Sequence, residues 1–155
     1  MEPILIAYLG IAFMATLSFI GSSYGVTVCG HAVVGAMKKN PGGLGSYIAL
    51  SALPSSQGLY AFVAFFMLQK FLVPDITMFT SVAIMSACLM LGISGLYASY
   101  RQANVCANGI VGLGSGHNVF GATMVMAVFP ELYAILALLV TILVSLSLDK
   151  IVFGG

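Results

Sequence analysis

The chain has 155 residues, 61% hydrophobic and 6% charged, with mean hydropathy +1.12 and net charge +1. A soluble domain carries about 25% charged residues, so these proportions exclude one and point to an all-α membrane protein. Near-neutral charge, with no basic cluster beyond Lys38-Lys39, excludes a nucleic-acid partner.

The N-terminus, Met1-Glu2-Pro3-Ile4-Leu5, lacks the basic region of a signal peptide, so the first apolar segment is expected to be retained. That segment runs from about Ile4 to Ala36 and stops at Lys38-Lys39-Asn40-Pro41-Gly42-Gly43, a strong turn signal. The second runs from about Ser46 to Val73 and ends at Pro74-Asp75. The third runs from about Met78 to Val111 and ends in a glycine-rich stretch, Gly112 to Asn118. The fourth runs from about Val119 to Leu148, before Asp149-Lys150. Each exceeds the roughly 20 residues that cross a bilayer. The chain is therefore expected to be an integral, multi-pass protein with both termini on one side. Residues 1–74 form a first transmembrane hairpin and 75–155 a second. The turn at Lys38-Lys39 carries no acid, so the positive-inside rule places it and the Ser115–Asn118 loop in the cytoplasm. In a prokaryote the membrane would be the cell membrane. Cys29, Cys88 and Cys106 lie inside apolar segments and read as buried free thiols. No His/Cys spacing suggests a metal ligand set.

The two halves are an internal duplication. Tyr24 to Gly35 aligns with Arg101 to Gly112 at an offset of 77, matching Val28, Cys29, Val34 and Gly35 with Val105, Cys106, Val111 and Gly112. Gly58-Leu59-Tyr60-Ala61 aligns with Glu131-Leu132-Tyr133-Ala134. Two tandem hairpins in the same orientation follow. The halves also differ: Gly58 stands where the second half has Glu131, and Gly25 where it has Gln102. Small residues recur along the first segment at Ser18, Ser22, Gly25, Cys29, Ala32 and Ala36. The third shows the same spacing at Gly95, Ser99, Gln102, Cys106 and Gly109. Such stripes let membrane helices approach closely. They suit packing within one four-helix bundle or the crowded inner wall of a ring.

Glu131 is the one acid inside an apolar segment; Glu2, Asp75 and Asp149 sit at ends or breaks. A charge at the bilayer centre costs roughly 3 kcal/mol on insertion scales, so an intramembrane carboxylate reads by default as an ion or proton site. In Leu53-Pro54-Ser55-Ser56-Gln57-Gly58-Leu59-Tyr60, Pro54 is expected to kink the second helix and free a carbonyl. Pro130 is expected to disturb the fourth in the same way. Glu131, Ser56, Gln57, Gln102 and a carbonyl near Leu53 then offer an all-oxygen set suited to a small hard cation. Tyr60 is placed to lock the carboxylate. A protonated Glu131 is the rival occupancy. Each neighbour also has a commoner role: Ser56 as a helix back-bonder, either Gln as interhelical glue. Arg101 reads as a snorkelling side chain, and His31 and His117 as loop-proximal.

The duplicated hairpin, the Leu53–Tyr60 run and Pro130-Glu131-Leu132-Tyr133-Ala134-Ile135-Leu136 together resemble the proteolipid (K or c) subunit of V-type and archaeal-type rotary ATPases. The resemblance covers nearly the whole chain. It implies a ring of about ten identical copies, with the first and third helices inside and the second and fourth outside. It also implies a stator membrane subunit with a fixed Arg and a central-stalk subunit at the cytoplasmic loops. In sodium-transporting members a Leu carbonyl, a Thr hydroxyl, two Gln amides and the Glu bind Na⁺. The matching positions are Leu53, Ser56, Gln57, Gln102 and Glu131, with Tyr60 matching the tyrosine that holds the carboxylate. Ser56 departs from the family's Thr, keeping the hydroxyl and losing a methyl. The implied cargo is Na⁺ or H⁺, with no bound cofactor. The chain has no glycine-rich phosphate loop and no nucleophile–base pair, so it is read as a non-catalytic subunit. One carboxylate per four helices moves fewer ions per turn, which favours ATP-driven pumping. Two rivals are a small four-helix cation/proton antiporter and a structural membrane protein. The same-sense repeat opposes the first, since inverted repeats mark such transporters; the polar set around Glu131 opposes the second.

Overall fold

Long apolar runs with proline only near helix starts or one deep position fold as long helices. The computed structural model describes residues 2–153. Helix α1 spans Pro3–Met37 and opens on Pro3, where a missing N–H is harmless. A 3-10 turn at Pro41–Gly43 leads to α2, Leu44–Ala52. A second 3-10 turn, Leu53–Ser55, separates α2 from α3, Ser56–Leu68, and a third closes the span at Gln69–Phe71. Helix α4 spans Met78–Gly114 and α5 spans Phe120–Val152. Four helical stretches are long and apolar enough to cross a membrane: α1, Pro41–Phe71, α4 and α5.

The kink expected at Pro54 is the Leu53–Ser55 turn. At Pro130 no such turn forms: α5 runs through it as one helix, without the N–H that proline lacks. Membrane helices absorb an internal proline where neighbours and small backbone adjustments re-satisfy the freed groups. The third segment also runs farther than its glycines suggested, to Gly114. Gly114, the last residue of the helix, lies against Ala36, and Ser115 is its C-cap. Gly116 takes φ +87°, His117 N–H donates to Gly112 O at 3.1 Å and Gly116 N–H to Leu113 O at 3.0 Å. This is a Schellman cap, which needs a residue tolerant of the left-handed region. At the other end Thr77 caps α4 by accepting from Thr80 N–H at 3.2 Å.

Helices α1 and α4 run parallel, their small stripes facing each other. Gly10 lies against Met85, Gly92 against Met14, Gly21 against Leu96 and Gly114 against Ala36. The spatial register thus nearly reproduces the offset that relates the halves in sequence. Small faces allow this approach, and in lipid close packing rather than hydrophobic drive holds the pair. Helices α3 and α5 lie on the same side of this pair, joined at Tyr60–Glu131 and by Ser145 donating to Met67 O at 3.1 Å. At the far end Lys70 pairs with Asp149. The apolar core splits in two. One cluster gathers Ile11, Met14, Leu68, Ile84 and Leu91, the other Cys29, Tyr47, Leu50, Ile110 and Ala127. Between them lies a polar layer.

Candidate functional site

The polar layer is assembled from three helices. Pro54 lies in the turn that separates α2 from α3, and the start of α3 carries Ser56, Gln57 and Tyr60. Gln57 and Gln102 are fully buried, and Gln57 Nε2 donates to Gln102 Oε1 at 3.0 Å. Gln102 Nε2 donates to Glu131 Oε2 at 3.1 Å and to Ala127 O at 3.0 Å. Tyr60 donates its hydroxyl to Glu131 Oε1 at 2.6 Å. Both carboxylate oxygens are therefore held, one by each neighbour. Ser56 donates to Leu53 O at 3.0 Å, the ordinary back-bond of a helical serine. Its own oxygen still offers lone pairs.

One acceptor in this layer has no partner. Gln57 Oε1 is buried and unpaired among the described residues. A buried amide oxygen left without a donor costs roughly 1–3 kcal/mol, and a cation beside it would remove that cost. The structure thus brings Gln57, Gln102, Glu131 and Tyr60 into one hydrogen-bonded chain. Ser56 and Leu53 sit at its start, in the turn that Pro54 creates.

A second network frames the first. The Leu53–Ser55 turn leaves backbone groups outside the regular helical pattern, and two serines take them up. Ser99 shares its one hydroxyl proton between Gly21 O at 2.8 Å and Pro54 O at 2.9 Å. Ser22 accepts from Gly58 N–H at 2.9 Å, one of the first-turn donors that a helix leaves unmatched. Ser22 and Ser99 hold equivalent positions in the duplication, so each half supplies one hydroxyl to the same break. Sequence reading placed both in the small-residue stripes and missed this role.

The duplication is matched by the family model of the ATP synthase C subunit, which aligns twice, over residues 9–68 and 85–144. The chain belongs to this ATP synthase C-subunit family. Among similar proteins, the V-type sodium ATPase subunit K of Enterococcus hirae is 30% identical over 141 residues, 91% of this chain and 90% of that one. The A-type ATP synthase subunit K of Methanocaldococcus jannaschii is 28% identical over 149 residues, 96% of this chain. The chain covers 66% of that relative's length, just under two thirds. These matches support a V/A-type proteolipid subunit, and the two family-model repeats with four membrane-length helices fit two tandem hairpins in this chain.

The proteolipid's asymmetry has a steric basis. A Cβ at Gly58 would stand 3.2 Å from Ser22 Oγ and 3.4 Å from the Phe19 ring. A Cβ at Gly25 would stand 2.8 Å from Ser99 Oγ and would collide with Pro54. Gly25 has no room even for a Cβ, while at Gly58 a Cβ fits only if Ser22 and Phe19 give by a few tenths of an ångström. Arg101, exposed beside Gln102, places its guanidinium 5.5 Å from the Tyr97 ring centroid.

Proposed function

We propose that this chain is one copy of the membrane rotor ring of a V/A-type ATPase. It carries Na⁺, or H⁺, on Glu131 as the ring turns. One observation carries the reading: an interior carboxylate held by Tyr60 and Gln102 beside the unpartnered Gln57 Oε1. Leu53 O, Ser56 Oγ, Gln57, Gln102 and Glu131 supply the oxygen ligands for Na⁺. Loading replaces the Gln57–Gln102 hydrogen bond by ligation through both amide oxygens, while Tyr60 keeps the carboxylate turned inward. The sodium named in the E. hirae relative supports this cargo.

The bound ion neutralises Glu131 while it faces lipid, where a bare charge is costly. A fixed Arg on a stator subunit draws the carboxylate out and releases the ion. About ten copies close the ring, a central stalk meets the Lys38-Lys39 and Ser115–Asn118 loops on the cytoplasmic side, and a soluble head performs the hydrolysis. The chain itself is non-catalytic.

The test is labelling of the intact ring by a hydrophobic carbodiimide, with and without NaCl, across pH, read by mass spectrometry. The reagent modifies a protonated carboxyl in an apolar site. Adduct at Glu131 that NaCl suppresses supports Na⁺ carriage. Adduct indifferent to NaCl makes this a proton ring and removes the ligand role of Gln57 and Gln102. No adduct at any pH overturns the site.

A further inference from the structure

Helix α4 turns a polar row away from α1: Arg101, Asn104 and Asn108 are all exposed. Arg101 lines two adjoining grooves between α4 and α5, of about 550 and 370 Å³, which share Phe129 and Pro130. The guanidinium has no acid to pair with, since the ion pair among the described residues joins Lys70 and Asp149. It lies one residue from Gln102, at the level of the Glu131 carboxylate. There, exposure to lipid tails is costly for a group with five N–H donors and no acceptor.

The complementary surface is on α1. Its face away from α4 exposes Ser23 and Thr27. Ser23 donates to Ile20 O at 3.1 Å and Thr27 to Ser23 O at 2.8 Å. Both hydroxyl protons are thus spent within α1, and the oxygens point outward as acceptors. Depth also matches. Within one chain Gly21 lies against Leu96, and Cys29 donates to Ala103 O. Arg101 therefore stands at the level of α1 residues between 21 and 29. A closed ring has no rise from copy to copy, so α1 of the next copy stands at that same depth. Ser23 and Thr27 then flank the guanidinium.

We propose that the α4–α5 groove receives α1 of a second copy, with Arg101 donating hydrogen bonds to the Ser23 and Thr27 oxygens across the seam. This rests on the ring reading. It gives Arg101 a fixed partner beside each ion site and makes the seam polar at that one level.

Paired cysteines in the assembled ring test it. Ser23→Cys with Arg101→Cys, or Thr27→Cys with Asn104→Cys (which keeps Arg101), should oxidise to a ladder of dimer, trimer and higher species. Each single variant should give none. Assembled rings that show no ladder from either pair overturn the seam and leave lipid or another subunit against Arg101. A wild type that forms no oligomer overturns the ring itself, which is a separate result. In rings that do form, Arg101→Met and Thr27→Val should each lower the temperature of ring dissociation, and together no further than Arg101→Met alone. Additive losses would mean that the two side chains do not meet.

Discussion

Glu131 is held by two donors that differ in what else they do. Tyr60 makes one bond, at 2.6 Å, and is half-buried at the edge of the layer. Gln102 bonds Glu131, Ala127 O and Gln57 at once and is fully buried. Hydrogen bonds to a charged group are worth about 1.5–3 kcal/mol. Tyr60→Phe should therefore raise the NaCl concentration that half-protects Glu131 from carbodiimide by roughly 10- to 100-fold, with the ring intact. An unchanged requirement would remove Tyr60 from the lock. Gln102→Leu removes a proposed ligand and leaves Gln57 Nε2 without its acceptor. Protection by NaCl should vanish while labelling at Glu131 persists; protection at ordinary NaCl would show that the amide is structural only.

At the scale of elements, the break between α2 and α3 is kept by two hydroxyls on two other helices. Ser99→Ala removes the donor that Pro54 O and Gly21 O share, a cost of about 1–3 kcal/mol for a buried acceptor left unmatched. Gly25→Ala pushes a methyl group into Pro54 and Ser99, an overpacking cost of about 1–3 kcal/mol. Both variants should unfold at lower temperature in detergent, and Ser99→Ala should also weaken NaCl protection, because the Leu53–Ser55 turn carries Leu53 and positions Ser56. A Ser99→Ala ring as stable as wild type would mean that water replaces the hydroxyl. The four spans were legible in hydropathy, and their ends only roughly so. Glycines read as breakers at 112 and 114 are helical, since what they provide there is close approach to Val119 and Ala36. Pro54 and Pro130 look alike locally, yet one makes a 3-10 turn and the other lies within a continuous helix. The first is met by serines from two neighbouring helices, Ser22 and Ser99. Within the site, Gln57, Gln102, Glu131 and Tyr60 could be grouped in advance because buried polar groups must satisfy one another. Ser22 and Ser99 could not, because their partners are backbone groups that become available only once the helices meet.

Over the whole molecule, a duplicated fold carries an interior carboxylate in one half only. Both hairpins repeat the same helix pair, but Gly58 N–H is bound by Ser22, and the space beyond its Cα is occupied by Ser22 and Phe19. The first hairpin is the wall against which the second builds its pocket, contributing Tyr60 to a carboxylate it lacks and Gln57 to the Gln102 amide beside it. Placing an acid at position 58 should not create a second site. Gly58→Ala needs a shift of only a few tenths of an ångström and should assemble, with one NaCl-protected adduct per chain at saturation. Gly58→Glu must also bury a charge with no donors arranged for it, a cost of several kcal/mol. Little ring should form, and any that does should show one protected adduct, at Glu131. A second NaCl-protected adduct at position 58 would mean that the first half still holds a complete ligand set and differs from the second by its carboxylate alone. In that case the number of ions carried per turn would be set by one residue rather than by the packing of the hairpin.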